Sequence, residues 1–118
     1  MKATDLMIGD WVMRGNIVSE PMKVTEIIPY KDYVCMDFAG LAVAAKFSQI
    51  NPIPITPEIL ELNGWYYDDL DGEWCGCGFR IGGYNPEEYT ILDGRTISYV
   101  HELQHFLRDC KINKEIIL

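Results

Sequence analysis

The chain has 118 residues, with ten Lys/Arg against eighteen Asp/Glu and a formal net charge of −8, enough for one domain or two small sub-domains sharing a core. Such acidity repels phosphate backbones, which disfavours generic nucleic-acid binding and suits solubility or a basic protein partner. No run approaches the roughly 18 apolar residues of a membrane span, and the opening lacks the apolar run of a secretion signal, so a cytoplasmic protein with reduced cysteines is expected.

Gly9-Asp10 carries turn chemistry and leads into a strand at Trp11-Val12-Met13, with Val12 facing opposite its neighbours. A second strand is predicted over residues 17–28, bent or interrupted near Pro21, since proline cannot donate to a central ladder. Residues 33–38 form a third, and Ala39-Gly40 turns it into a fourth over 41–46. Pro52 and Pro54 then force extended geometry. Short strands with tight turns in the first 56 residues point to a small, strongly bent SH3-like β-barrel. Such barrels host many roles and do not specify one.

A helix is predicted to start at Thr56-Pro57-Glu58. Thr56 caps it, Pro57 loses nothing at the first helical position, and Glu58 suits the positive dipole end. Gly64 stops it. Residues 65–67 read as a strand, 68–72 as a turn and 73–81 as the returning strand. Residues 82–86 follow as a loop, 88–92 as a third strand, and Asp93-Gly94 as a tight turn. A helix capped by Ser98 runs to about Lys111, and the apolar tail Ile116-Ile117-Leu118 follows. The expected architecture is α+β: an SH3-like barrel over residues 1–56, then a helix, a three-stranded antiparallel sheet and a C-terminal helix over 57–118, packed against it. Charge is uneven between these parts, with five Lys/Arg against six Asp/Glu in 1–56 and five against twelve in 57–118.

His101-Glu102-Leu103-Gln104-His105 spells H-E-x-x-H. Two imidazoles one helical turn apart can share zinc, and the Glu can act as base on a bound water. At about 100° per residue, Val100, Leu103, Phe106, Leu107 and Cys110 fall on one apolar stripe, and His101, His105 and Arg108 fall near the opposite, solvent-facing side. The chain has only two histidines, so no third imidazole exists. Asp109, one turn beyond His105, is the nearest further donor, and Cys110 reaches that face only with distortion. Two surface histidines on an amphipathic helix are the favoured reading.

Cys75-Gly76-Cys77 is C-x-C rather than a C-x-x-C knuckle, and on a strand both thiols would enter the core beside Phe79. With Cys35 and Cys110 they number four, enough for a tetrahedral metal site only if the fold gathers them. The carboxylates of Asp68, Asp69, Asp71 and Glu73 echo a calcium loop. The register fails, because counting from Asp69 puts Trp74 at position six and Arg80 at position twelve. Gly76, Gly78, Gly82 and Gly83 lack the following G-K-[ST] of a phosphate loop.

Three stretches carry a resemblance. Residues 1–12, MKATDLMIGDWV, Lys23-Val24-Thr25-Glu26-Ile27 with residues 50–65, INPIPITPEILELNGW, and the closing Tyr99-Val100-His101-Glu102-Leu103-Gln104-His105 together are similar to a group of small bacterial and phage-borne proteins. The resemblance spans about half the chain and implies a phage or mobile-element setting, with no established activity. In that group's closing helix, Y-V-H-x-L-Q-N, the position of His105 is commonly Asn and that of Glu102 varies. Recurrence of His101, Leu103 and Gln104 implies a docking or packing role. Arg108-Asp109-Cys110 departs from the group's more apolar helix end.

These residues assemble no nucleophile, base and oxyanion donor. The expectation is therefore a non-catalytic protein-binding or accessory module, with no catalytic, cofactor-binding or metal site assigned and no cofactor. The alternative is a small zinc-dependent hydrolase using His101, Glu102 and His105.

Overall fold

A computed structural model describes residues 1–15, 20–82, 89–91 and 96–118, without the side chains of Phe79 and residues 89–91. The start of the predicted second strand, the loop at 83–86 and the Asp93-Gly94 turn lie outside the described residues. The chain divides into two compact units, Met1–Ile53 and Pro54–Leu118.

The first unit contains β1 (Trp11–Arg14), β2 (Met22–Ile28), β3 (Tyr33–Phe38), β4 (Leu41–Lys46) and β5 (Ile50–Pro52). They form one antiparallel sheet in the order β4-β3-β2-β1-β5. Pro21 stands before β2 and does not interrupt it, so the missing N–H falls where no ladder bond is needed. The predicted Ala39-Gly40 turn is present: Phe38 pairs with Leu41, and both turn residues have positive φ, as a two-residue hairpin of type I′ requires. Gly9-Asp10 also turns the chain. Met7 N–H donates to the Asp10 carboxylate at 2.8 Å, and Gly9 N–H and Asp10 C=O bond Val24 on β2. One face of the sheet gathers Val12, Met22, Val24, Val34, Met36, Ala45 and Ile50 into the core, with Leu6 and Phe47 from outside the sheet beside them.

The closed barrel is not found among the described residues. The two edges, β4 and β5, do not pair, and the sheet is open. Strand β5 is only three residues long and ends on Pro52, which offers no N–H for further pairing.

The second unit opens with α1 (Pro57–Leu62), shaped as its sequence predicts. Thr56 Oγ1 accepts from Ile59 N–H at 3.2 Å. At the other end Gly64 takes φ 91°, so that its N–H reaches Glu61 and Trp65 N–H reaches Leu60. This is the paired closure that a left-handed residue permits, with apolar Leu60 and Trp65 both buried. Thr56→Ala is expected to cost about 1 kcal/mol of stability, read from the urea midpoint at unchanged slope.

Five strands follow: β6 (Tyr66–Asp68), β7 (Glu73–Gly76), β8 (Phe79–Gly82), β9 (Tyr89–Ile91) and β10 (Thr96–Ile97), in the order β10-β9-β8-β7-β6 and antiparallel throughout. The expected single strand over 73–81 is instead a hairpin. Cys77 (φ 52°) and Gly78 (φ 82°) reverse the chain, pairing Gly76 with Phe79. Cys77-Gly78 repeats the X-Gly pattern of Ala39-Gly40, but it lies within a run that reads as one continuous strand. Gly76 is needed for closeness, since a Cβ there would lie 2.7 Å from the Trp65 ring.

Helix α2 (Val100–Asp109) is capped at Tyr99, one residue beyond the expected Ser98. Its start is held by Glu102, whose Oε1 accepts from Ser98 N–H and Tyr99 N–H at 3.0 Å each. Lys111 (φ 57°) closes it, its N–H bonding Arg108 while Ile112 N–H bonds Leu107.

Candidate functional site

Helix α2 sets the chemistry of the second unit through its rotation. Val100, Leu103, Phe106 and Leu107 are buried, as the apolar stripe predicts. The buried face is wider than that stripe, because His101 and Gln104 are also buried. His101 therefore does not face solvent as its helical phase suggested, while His105 is half-buried and Cys110 is exposed. The chain leaves the helix at Cys110, so the last position of the stripe never reaches the core.

The His101 ring stacks on Tyr99 at 6.0 Å between centroids and 17° between planes. It also meets the His105 ring edge-on, at 5.5 Å and 80°. His105, Glu102 and Phe106 line an open groove of about 360 Å³ with Thr96 and Ile97. The imidazoles of the H-E-x-x-H string thus share one face of α2, while its carboxylate serves the start of the helix.

The other sequence candidates are not drawn together. Cys75 is buried, Cys77 sits half-buried in the β7–β8 turn, Cys35 belongs to the first unit, and Cys110 is exposed. The reversal at Cys77 explains why the two C-x-C thiols do not both enter the core. Among the described residues, no group of three or more His, Cys, Asp or Glu is placed to hold a metal ion. The Asp68–Glu73 stretch is a hairpin turn, in which Asp68 accepts from Leu70 N–H at 3.0 Å. Asp71 meets Arg80 at 2.8 Å, and that hydrogen bond, with nearby negative charge, raises the guanidinium above its ordinary value. Both side chains are about half exposed, so the pair adds little stability.

A second surface was missed in the sequence. Strand β4 is a sheet edge of six residues, Leu-Ala-Val-Ala-Ala-Lys, without proline and with one charge, at its end. Leu41, Ala42, Ala44 and Lys46 are exposed. The other described edges are blunted by shortness: β5 has three residues and a proline, β6 three residues, β10 two. The signal was legible as a charge-poor run in residues 41–45.

The fold places the chain among antiparallel α+β proteins, and no described helix is long and apolar enough to cross a membrane. No family model, curated protein or solved structure matches it.

Proposed function

We propose that this chain is a non-catalytic protein-binding module of a phage or mobile element, acting in the cytosol, and that β4 receives an extended, basic segment of another protein. The carrying observation is the open, six-residue, proline-free edge of β4 with its exposed alanines. Such an edge offers unpaired backbone N–H and C=O groups to an added strand, and small side chains keep its surface accessible. The net charge of −8 opposes a second copy of the chain and favours a positively charged strand. An SH3-like roll for the first unit is supported by the meander β1 to β4, followed by a 3-10 turn (Phe47–Gln49) and a short β5 beside β1.

The test uses a random twelve-residue peptide library displayed on phage and panned on the immobilised protein. Selected peptides are expected to carry net positive charge and to perturb the amide resonances of residues 41–46. Ala44→Lys should weaken them and Ala44→Glu strengthen them, each by about two- to fivefold, the range of one cross-strand charge pair. Peptides that perturb other residues, or that ignore both substitutions, would refute the edge as the docking surface. A concentration-dependent dimer abolished by Ala44→Lys would assign the edge to a second copy instead.

A further inference from the structure

We infer that the segment received by β4 carries an apolar–basic–apolar triplet, with its Lys or Arg opposite Ala42 and its apolar residues opposite Leu41 and Val43. The inference rests on β4 as the docking edge and adds which side chains that edge selects. The pairing register decides what an added strand meets, because side chains alternate between the two faces of a sheet. Val43 and Ala45 pair with buried Met36 and Val34 and so lie on the core face, and Leu41, paired with Phe38, shares it. Ala42, paired with Asp37, and Ala44, paired with Cys35, lie on the opposite face.

The core face runs out to this edge unfinished. Phe38 and Val43 pack against the core of the first unit, whereas Leu41 beside them is 65 % exposed. Apolar side chains opposite Leu41 and Val43 extend that face by one strand and take Leu41 out of water. On the other face Ala42 is too short to screen its row. Asp37 lies exposed beyond it, two strand spacings of about 4.8 Å from an added strand. The long stem of Lys or Arg spans Ala42 and brings its charge to that carboxylate. The row's own cation faces the other way: Lys23, paired with Asp37, sets its ammonium 5.5 Å from the centre of the Trp11 ring on β1. At the far end of β4, exposed Lys46 repels a cation placed opposite it. Apolarity and charge together select one register, since a slip of one residue would send the apolar pair to the polar face.

The experiment titrates ¹⁵N-labelled protein with three blocked octapeptides: Ser-Thr-Thr-Val-Lys-Val-Thr-Ser, a form with Glu in place of Lys, and a form of the first composition reading Val-Val-Lys. The first should shift the amides of residues 41–46 and bind Asp37→Lys about two- to fivefold more weakly than wild type. Asp37→Asn should weaken it in the same direction by less, and the Glu peptide should prefer Asp37→Lys over wild type. The form with adjacent valines cannot set both on the face of Leu41 and should bind wild type about threefold or more weakly. Equal affinity for wild type and Asp37→Lys, or no loss from adjacent valines, would overturn the triplet. So would resonances of residues 41–46 that stay in place. If peptides selected from the display library still perturb those residues, the edge stands and the triplet alone falls; if they do not, both fall.

Discussion

Asn63→Ala is expected to lower the unfolding free energy by about 2–4 kcal/mol, since it removes three hydrogen bonds worth roughly 0.5–1.5 kcal/mol each and leaves their partners less well satisfied. Asn63 is 2 % exposed at the end of α1. Its Nδ2 donates to Ile59 C=O and to Ile117 C=O at 2.8 Å each, and its Oδ1 accepts from Ile117 N–H at 2.7 Å. One side chain thus satisfies both backbone groups of Ile117, next to buried Ile116, and ties the closing segment to a helix 54 residues away. Asn63→Asp should cost at least as much as Ala, because it keeps the acceptor for Ile117 N–H but turns a buried carboxylate oxygen toward the Ile59 and Ile117 carbonyls. Urea unfolding gives the energy, and hydrogen exchange at the Ile117 amide shows whether the tail has come loose. A loss below about 1 kcal/mol with Ile117 still protected would show that the tail is held by other contacts.

Asn63 also marks the boundary of what the sequence disclosed. Its neighbour Gly64 read as the helix stop, and that role is local. The bond of Asn63 to Ile117 is a long-range event that no window of neighbouring residues contains. The helix ends were legible for the opposite reason: Thr56, Pro57 and Gly64 each act within four residues, so their chemistry fixes α1 directly. The Ala39-Gly40 turn was equally readable, because its glycine takes a conformation that most residues resist. Cys77-Gly78 makes the same kind of turn with a glycine at the same position, but it sits inside an unbroken run that reads as one strand, so the β7–β8 hairpin was hidden there.

The histidines failed by a related route. Periodicity divides a helix into apolar and polar faces; it assigned His101 to water by helical phase and left Gln104 unassigned. Their burial follows from how much of α2 the second unit encloses, and that width depends on elements remote in sequence. The spacing of the two rings was legible, since positions one turn apart must be neighbours on any helix. Likewise, residues 41–45 could be read as a strand, but its place at an edge follows from the pairing order of five strands.

A paired substitution separates what holds α2 in place from what its polar residues offer. Leu103→Ala is expected to cost about 2–5 kcal/mol, because Leu103 is 1 % exposed and its loss leaves a cavity that the surrounding packing fills only in part. His105→Asn, at a half-buried position beside an open groove, should change stability by no more than about 0.5 kcal/mol. Urea midpoints at unchanged slope measure both. Equal losses would mean that His105 anchors the helix as firmly as its core leucine does. The expected inequality instead leaves His105 free to be exchanged without disturbing the fold.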